Sequence, residues 1–539
     1  MNRRHFLQGA ASLAAAPQLA RAQSGTSPRE RLVAIAESLK PKLRETVRTP
    51  MWIVEPVADA SRFLRFRMEQ AGPAAQIRER RLRHGDSFIL DFGGHMTGRL
   101  AFSLAGEGSA VDSPVRLRLT FGEVPADVAT PLESYSGTLS RAWLPDEILN
   151  VDFLPQRVRV ERRHAFRYVK VDVIDTSPNF AARFSEIEAT AVSSAGDAPP
   201  PLNPAAPELL RRIDEVSLRT LHDCMQTVFE DGPRRDRRLW IGDLRLQALT
   251  NYATFRNYDL VKRCLYLFAG LPREDGLVAA CVYDEPKPLC GRQYIMDYAA
   301  LYGAAVVDYV NATSDRAAAR DLWPVVRRQM EILGQFVNGD GLFADPGGWW
   351  IFIDWRDELE HTAPMHGVLL FGYQQALALA KLAGAEKEAS GYAERIALMT
   401  RAARRAFYDS AQKLFVSGPK RQVSWATQAW MVHSGVATPE EGAAALRAVA
   451  GKPDAVRPGT PYLYHYVADA MLACRMKREA LDLIRSYWGG MVLAGADTFW
   501  EVYDPSNSLL SPYNSVLVNS YCHAWSCTPA YFLRARSLL

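Results

Sequence analysis

The sequence lacks the short motifs that mark several enzyme classes. It has no G-x-S-x-G elbow, no phosphate-binding glycine loop and no H-E-x-x-H pair. Serine hydrolysis, nucleotide use and zinc proteolysis therefore have no local signal. Its seven cysteines form no C-x-x-C pair and no cluster with histidine at the spacing of zinc ligands. We therefore predict buried thiols, no metal ion and no cofactor.

Long apolar runs and a large net charge are also missing. After the N-terminus no segment is long and apolar enough to span a bilayer, so we predict no membrane span. The formal charge of the 539-residue chain is +4, too small for a general attraction to nucleic acid. Hydrophobic residues make up 48% and charged residues 23%, as in ordinary globular proteins, and the length favours two or three domains.

The N-terminus has the pattern of an export signal. Arg3 and Arg4 precede a weakly apolar run at residues 9–17, and Ala20-Arg-Ala22 offers small residues at the spacing of a cleavage site. A twin arginine before such a run is typical of the bacterial Tat signal. We therefore predict a signal peptide over residues 1–22 and a periplasmic or secreted protein.

After an N-terminal segment at residues 23–50, the chain becomes rich in strand patterns. Short apolar or alternating runs are separated by Gly, Pro and Asp, as at residues 87–92, 99–104, 115–121 and 166–173. Short strands at this spacing predict an antiparallel β-sandwich over residues 51–197.

A proline-rich segment at residues 198–207 predicts a linker between two domains. Beyond it, residues 208–539 are dominated by helical periods separated by loops rich in Gly, Pro, Asp and aromatic residues. Roughly a dozen helices fit this length, the number needed for six helical hairpins. We therefore predict a multidomain β + α chain that ends in an (α/α)6 barrel.

The first chemical cluster lies early in the helical region, over residues 230–243. It holds four carboxylates and four arginines, with Gly-Pro, Trp240 and Ile241 among them. Carboxylates beside arginines in a pocket can keep different protonation states, as a general acid and its partner require. A salt-bridged start of a helix is the alternative interpretation.

The second cluster surrounds Glu501, which directly follows Trp500 between apolar segments. Aromatic faces stack on sugar rings, so this carboxylate fits a sugar site, although a capping or core-edge glutamate would give the same pattern. Weaker candidates are Asp354 and Trp355 after a tryptophan-rich turn, His465 among tyrosines, and His523 near the chain end. Single histidines in such settings are more often structural than catalytic.

Together these motifs resemble the bacterial α-L-rhamnosidases of glycoside hydrolase family 78. In the helical region the resemblance lies in Asp231–Asp236, Leu239–Asp243, Thr498–Glu501 and His523–Ser526. In the strand-rich region it lies in Asp91–Gly98, Phe121–Glu123 and Phe166–Val169. The motifs follow the family's order over about residues 85–530, which is more specific than any one of them.

The resemblance implies an inverting glycoside hydrolase that removes terminal rhamnose from plant or microbial glycans. It places the general acid at Asp236 and the general base at Glu501, with carboxyl groups about 6.5–9.5 Å apart. The remaining sugar-contacting residues that it or the local pattern predicts are Asp231, Arg235, Trp240, Asp243, Asp354, Trp355, His465, Trp500 and His523.

The first motif departs from the family pattern. Gly232 stands where the family often has cysteine, and the motif is one residue short before Trp240. A strict count from Asp231 therefore puts Arg237 at the acid position. The arginines at 234–238 suggest, as a hypothesis, that a uronate lies next to the cleaved sugar.

Two other classes of function remain open. A polysaccharide lyase on a helical toroid would use tyrosine or histidine as its base, for instance Tyr464 and His465. A non-catalytic carbohydrate-binding protein would keep the aromatic residues and lose no affinity without Asp236 and Glu501. Site chemistry favours the hydrolase over both.

Overall fold

The computed structural model describes residues 27–536 and Leu538, so the predicted signal peptide at residues 1–22 lies outside the described residues. The N-terminal half is built on one nine-stranded antiparallel sheet, which confirms the predicted antiparallel strands. Its strands are β1 (Arg44–Arg48), β2 (Trp52–Ala58), β3 (Phe66–Pro73), β4 (Ser87–Gly108), β5 (Val115–Gly122), β6 (Asp146–Val151), β7 (Gln156–Arg159), β8 (His164–Asp175) and β9 (Phe180–Ser193).

Strand β4 is long and pairs with different strands along its length. Its first half pairs with β2 and β8, and its second half pairs mainly with β7 and β9. The register shifts between Asp91 and Met96, where Gly93 has a φ of 77° that glycine adopts without strain. Phenylalanines from β4, β5, β8 and β9 meet in a single apolar core, so alternate residues face inward as predicted for a sandwich.

Within the described part of the helical half there are twelve helices, in addition to α1 (Pro28–Ser38) and α2 (Pro125–Ala129) in the N-terminal half. They are α3 (Glu208–Cys224), α4 (Ile241–Ala253), α5 (Tyr258–Gly270), α6 (Met296–Thr313), α7 (Arg316–Leu333), α8 (Thr362–Ala383), α9 (Tyr392–Phe407), α10 (Trp425–His433), α11 (Pro439–Ala450), α12 (Pro461–Ala473), α13 (Lys477–Leu493) and α14 (Pro529–Ala535). The short strands are β10 (Leu239–Trp240), β11 (Cys281–Tyr283), β12 (Leu289–Cys290), β13 (Tyr408–Asp409) and β14 (Leu414–Phe415).

These helices form two rings. Helices α4, α6, α8, α10 and α12 contact one another in succession, and the turn Ala524–Ser526 before α14 touches both α12 and α4, which closes the inner ring. Inner helices are buried all round, whereas outer ones bury one stripe: α6 buries 14 of 18 residues and α9 buries 4 of 16. Among the described residues no helix is both long and apolar enough to cross a membrane.

Buried polar residues connect the sheet to the barrel. The His95 ring lies between two carboxylates, 2.6 Å from Asp223 Oδ2 and 3.1 Å from Glu123 Oε1. The other oxygen of Glu123 accepts a hydrogen bond from the backbone N–H of Tyr521 at 2.8 Å. Helix α1 also packs on α5 and β1 pairs with β9, so the N-terminal segment joins both halves. The domain boundaries at 198–207 stay predictions, although that linker contains no helix or strand.

Candidate active site

A cavity of about 210 Å³ opens where loops lead into the inner helices. The loops before α4, α6, α8 and α14 form most of its wall, and Leu139 reaches in from the sheet domain. Eight of the eleven predicted site residues line it: Asp231, Arg235, Asp236, Trp240, Asp243, Trp355, Glu501 and His523. The two sequence clusters, more than 250 residues apart, therefore meet in one place.

Two aspartates form one side of the cavity. The backbone N–H groups of Asp236 and Arg238 each donate to the Asp231 carboxylate, both at 3.1 Å. Burial, and after it the nearby charge of Asp236, raise the pKa of Asp231 to about 7. Asp231 is therefore about half protonated near neutral pH.

Arg235 links this pair to the second cluster. Its Nη1 donates to Asp236 Oδ1 at 3.1 Å and its Nη2 donates to Glu501 Oε2 at 2.7 Å. Its Nε donates to the carbonyl of Val518 at 2.8 Å, and its guanidinium lies 4.3 Å from the ring centre of Tyr513. One buried cation thus holds the two predicted catalytic carboxylates apart in a fixed geometry.

Glu501 is held as an anion. Tyr513 donates its phenolic O–H to Oε1, and the Ser520 backbone N–H donates to Oε2 at 3.2 Å. Burial alone would raise the pKa of Glu501, but Arg235, His523 and these hydrogen bonds outweigh it and hold that pKa below its usual value. A carboxylate that stays ionised suits a general base.

His523 and Asp243 form the floor of the cavity. His523 Nε2 lies 3.1 Å from Asp243 Oδ1, but its N–H is not aimed at that oxygen, so the contact is ionic rather than a formed hydrogen bond. Burial opposes protonation of His523, yet Asp243, Glu501 and Asp231 together raise its pKa to about 9. Both of its ring nitrogens are buried without a hydrogen-bond partner.

Further unpartnered polar atoms belong to residues that line the cavity. The indole N–H groups of Trp240 and Trp355 and the Oδ1 atom of Asp243 are buried without a hydrogen-bond partner. Buried polar groups are normally paired, so a group of them around a cavity indicates a ligand with several hydroxyl groups. Such a ligand also needs the apolar faces that the same tryptophans supply.

Three predicted sugar-contacting residues lie outside the cavity. Asp354 accepts hydrogen bonds from Gly459 N and Thr460 Oγ1, both at 2.6 Å, and so supports the start of α12. His465 is buried within α12 against Phe532, and burial lowers its pKa to about 3. Trp500 turns away from Glu501 and stacks on Phe63, with ring centres 4.5 Å apart. These residues were predicted to contact the sugar from their positions in the sequence, but in the fold their side chains point away from the cavity.

The arginines at 234–238 serve different purposes. Arg234 is buried against Asp127 at 2.7 Å and donates to the Leu517 carbonyl, and Arg237 donates to the Pro233 carbonyl at 3.0 Å. Neither of them lines the cavity, whereas Asp236 does. Arg238 Nη1 lies 3.7 Å from Asp236 Oδ2.

Sequence reasoning missed several residues of the cavity wall. These are Leu139, Gln293, Ile295, Tyr298, Trp350, Phe352, Tyr513 and Trp525. Trp350 and Trp525 lie within stretches that the sequence already marked by their tryptophans. Tyr513 had no such signal, since it lies in a loop 12 residues after Glu501.

One group of metal-ligand residue types occurs among the described residues, outside this cavity. The ligand atoms of His95, Asp223 and Cys522 lie within 4.8 Å of one another. Both His95 ring nitrogens already contact carboxylates, at 2.6 and 3.1 Å, and the shorter distance leaves no space for an ion between them. This group is a hydrogen-bonded part of the domain interface.

Family models match almost the whole described chain. Residues 50–191 match the glycosyl hydrolase family 78 alpha-rhamnosidase N-terminal domain, and residues 205–536 match the bacterial alpha-L-rhamnosidase 6 hairpin glycosidase domain. The chain belongs to glycoside hydrolase family 78. This family 78 chain is therefore a glycoside hydrolase, and the lyase alternative is wrong. In agreement, Tyr464 stacks on Tyr487 and neither it nor His465 lines the cavity.

Solved family 78 structures share the fold. A rhamnosidase from Klebsiella oxytoca with rhamnose bound is 44% identical, with a TM-score of 0.91 over 94% of this chain and 98% of that one. A family 78 rhamnosidase of Bacillus sp. GL1 is 24% identical, with a TM-score of 0.71 over 83% of this chain and 46% of that one. A comparison with curated protein sequences finds no match.

Proposed function

We propose that this chain is an inverting α-L-rhamnosidase in which Asp236 is the general acid and Glu501 the general base. The observation that carries the proposal is the bridge made by Arg235, which contacts Asp236 at 3.1 Å and Glu501 at 2.7 Å across one cavity. A guanidinium between two carboxylates keeps them apart, and an inverting enzyme needs that separation to admit a water molecule.

We assign the sugar from a similar protein whose bound ligand is known. The Klebsiella oxytoca rhamnosidase, which is 44% identical, was solved with rhamnose bound. In this chain, the unpartnered polar atoms of His523, Asp243, Trp240 and Trp355 are the groups that would bind the sugar hydroxyls. The cavity of about 210 Å³ favours a single terminal sugar.

The acid step begins from the proton held by the aspartate pair. Asp236 is the more exposed member and gives this proton to the glycosidic oxygen as the bond to C1 breaks. Asp231 stays behind it, and burial, followed by the nearby charge of Asp236, raises the pKa of Asp231. Positive charge that develops on the sugar ring is stabilised by the surrounding carboxylates.

The base step takes place on the opposite face of the sugar. Glu501 accepts a proton from water, whose oxygen then bonds to C1 and inverts its configuration. Arg235, Tyr513 and Ser520 hold the carboxylate in one orientation before the water arrives. Such preorganisation avoids the cost of reorienting dipoles during the reaction.

Proton NMR of the purified protein with an aryl α-L-rhamnoside tests this proposal. We expect β-L-rhamnose to appear first and to mutarotate afterwards. First release of α-rhamnose would contradict inversion, and no rhamnose release would contradict the sugar assignment.

We also propose that the cleaved rhamnose is terminal on a plant or microbial glycan and lies next to a uronate. Arg238 supports this idea, because its guanidinium lies 3.7 Å from the carboxylate of Asp236, a residue that lines the cavity. A rhamnose-capped oligosaccharide containing glucuronate should then be cleaved faster than its methyl ester. Equal rates on both would count against recognition of the carboxylate.

Export by the Tat pathway is a further proposal, based on Arg3 and Arg4 before the weakly apolar run. The full-length chain expressed in a bacterium should appear in the periplasmic or secreted fraction. Replacement of both arginines by lysine should retain it in the cytoplasm, and unchanged fractionation would contradict a twin-arginine signal.

A further inference from the structure

We propose that loop 130–145 of the sheet domain completes the active site by holding Tyr513, a positioning residue that orients the carboxylate of Glu501. The proposal rests on the assignment of Glu501 as the base. It gives the sheet domain a part in catalysis, although both chemical clusters belong to the barrel.

Tyr513 contacts both partners of the central ion pair. Its phenolic O–H donates to Glu501 Oε1, and its ring lies 4.3 Å from the guanidinium of Arg235. Its edge meets the Trp355 ring with centres 6.2 Å apart. A rotation of this side chain would therefore remove one donor from Glu501 and one packing surface from Arg235.

The sheet domain fixes the backbone at Tyr513. The backbone N–H of Thr138 donates to the Tyr513 carbonyl at 2.9 Å, and the Thr138 hydroxyl donates to the same oxygen at 3.4 Å. The neighbouring residue, Leu139, lines the cavity itself. The loop thus touches the site both directly and through Tyr513.

Apolar packing extends this contact to the segment that holds Arg235. Leu132, Tyr135 and Leu144 of the loop form one buried cluster with Leu517 and Val518. The carbonyls of Leu517 and Val518 are the acceptors for Arg234 and Arg235. The loop therefore supports both side chains that donate hydrogen bonds to Glu501, Tyr513 and Arg235.

The loop is itself held in shape by an exposed arginine. Arg141 donates to the carbonyls of Tyr135 and Leu132, each at 3.0 Å, and the Tyr135 hydroxyl donates to the Leu139 carbonyl at 2.7 Å. Arg141 touches neither the cavity nor Glu501, so its replacement probes the loop alone.

The first test replaces Tyr513 by phenylalanine, which keeps the ring and removes the O–H. We expect kcat to fall about tenfold. The acidic limb of the pH profile of kcat/KM should move to higher pH, because Glu501 loses a donor that favours its ionised form. The charged and titratable groups around Glu501 are otherwise unchanged: Arg235, His523, Asp243, Asp231 and Asp236. An unchanged kcat and pH profile would overturn the proposal.

The second test replaces Arg141 by alanine. Its control is Arg159→Ala, which changes an exposed arginine at the end of β7 whose side chain makes no hydrogen bond or ion pair with described residues. We expect kcat to fall severalfold in Arg141→Ala and to stay unchanged in Arg159→Ala. When Arg141→Ala is combined with Tyr513→Phe, the additional loss of kcat caused by Arg141→Ala should be half as large or less, because the loop acts through Tyr513. Equal activity of both single variants, or full additivity in the double variant, would overturn the role of the loop. Glu501→Gln, measured alongside, separates the assumptions: activity retained there defeats the assignment of the base instead.

Discussion

The carboxylates on the two sides of the cavity lie in different environments. On one side the Asp236 side chain is 18% exposed and lies beside a second carboxylate, Asp231. On the other side the Glu501 side chain is 3% exposed and receives hydrogen bonds from Arg235, Tyr513 and Ser520. Burial, and after it like charge, raises the pKa of Asp231 on the first side, whereas the charges of Arg235 and His523 and the donated hydrogen bonds keep Glu501 ionised on the second side.

This contrast shows how one cavity provides an acid and a base from the same chemical group. Two carboxyl groups in water differ little in pKa, so their environments must separate them. Here the pKa of Asp231 rises to about 7 while the pKa of Glu501 is held below its usual value. Arg235 contacts both sides and therefore does not by itself create the difference.

The largest expected effect comes from removing the base. Glu501→Gln is nearly isosteric but cannot accept the proton of water, so we expect kcat to fall about a thousandfold. The loss should be similar for all leaving groups, since the base acts on water. The check is kcat on two aryl rhamnosides whose phenols differ in acidity, with circular dichroism to show that the variant is folded.

Removal of the acid should give a smaller and more selective loss. Asp236→Asn should lower kcat by about a hundredfold for a leaving group that needs protonation. A dinitrophenyl rhamnoside, whose leaving group departs without a proton, should be cleaved almost normally. Equal losses on both substrates would show that Asp236 is not the acid, and a variant of Asp231 would then be tested in its place.

The aspartate pair should also set the basic limit of activity. The acid must be protonated, so kcat/KM should decline as the pH rises through about 7, the pKa of Asp231 in the pair. Asp231→Asn removes the carboxyl whose pKa is raised, so this limb should move away from pH 7. A limb that stays in place, measured from pH 5 to 9, would show that Asp231 does not influence the acid.

The smallest expected effects come from replacing one tryptophan that lines the cavity and one that does not. Trp355→Phe should raise KM severalfold, because Trp355 lines the cavity and its unpartnered indole N–H is lost. Trp500→Phe should leave KM unchanged and lower the free energy of unfolding by about 1 kcal/mol, because Trp500 packs on Phe63, Tyr503 and Tyr521 and does not line the cavity. Michaelis constants and denaturant melts of both variants test this, and a raised KM in Trp500→Phe would place that ring in the substrate path.

Much of the fold was predictable from pattern. Strand alternation over residues 51–197 and helical periods after residue 208 predicted the two classes of structure, and the collinear motifs predicted the family. The charged clusters at Asp231–Asp243 and around Glu501 supplied six of the sixteen residues that line the cavity. Sequence adjacency failed for Trp500, whose neighbour Glu501 faces the cavity while the indole packs against Phe63 on the other side. In a loop the direction of a side chain depends on local backbone angles, which no periodic pattern reveals.

The sequence by itself therefore determined the two kinds of secondary structure, the order of the domains and the chemical types in the site. Such information is local, since it depends on hydrophobic period and on residue type. Only the tertiary structure decided that Arg235 joins Asp236 to Glu501, that Asp231 keeps a raised pKa, and that a sheet-domain loop holds Tyr513. These features depend on burial and on contacts between residues hundreds of positions apart, because desolvation and Coulomb interactions act through space and not along the chain.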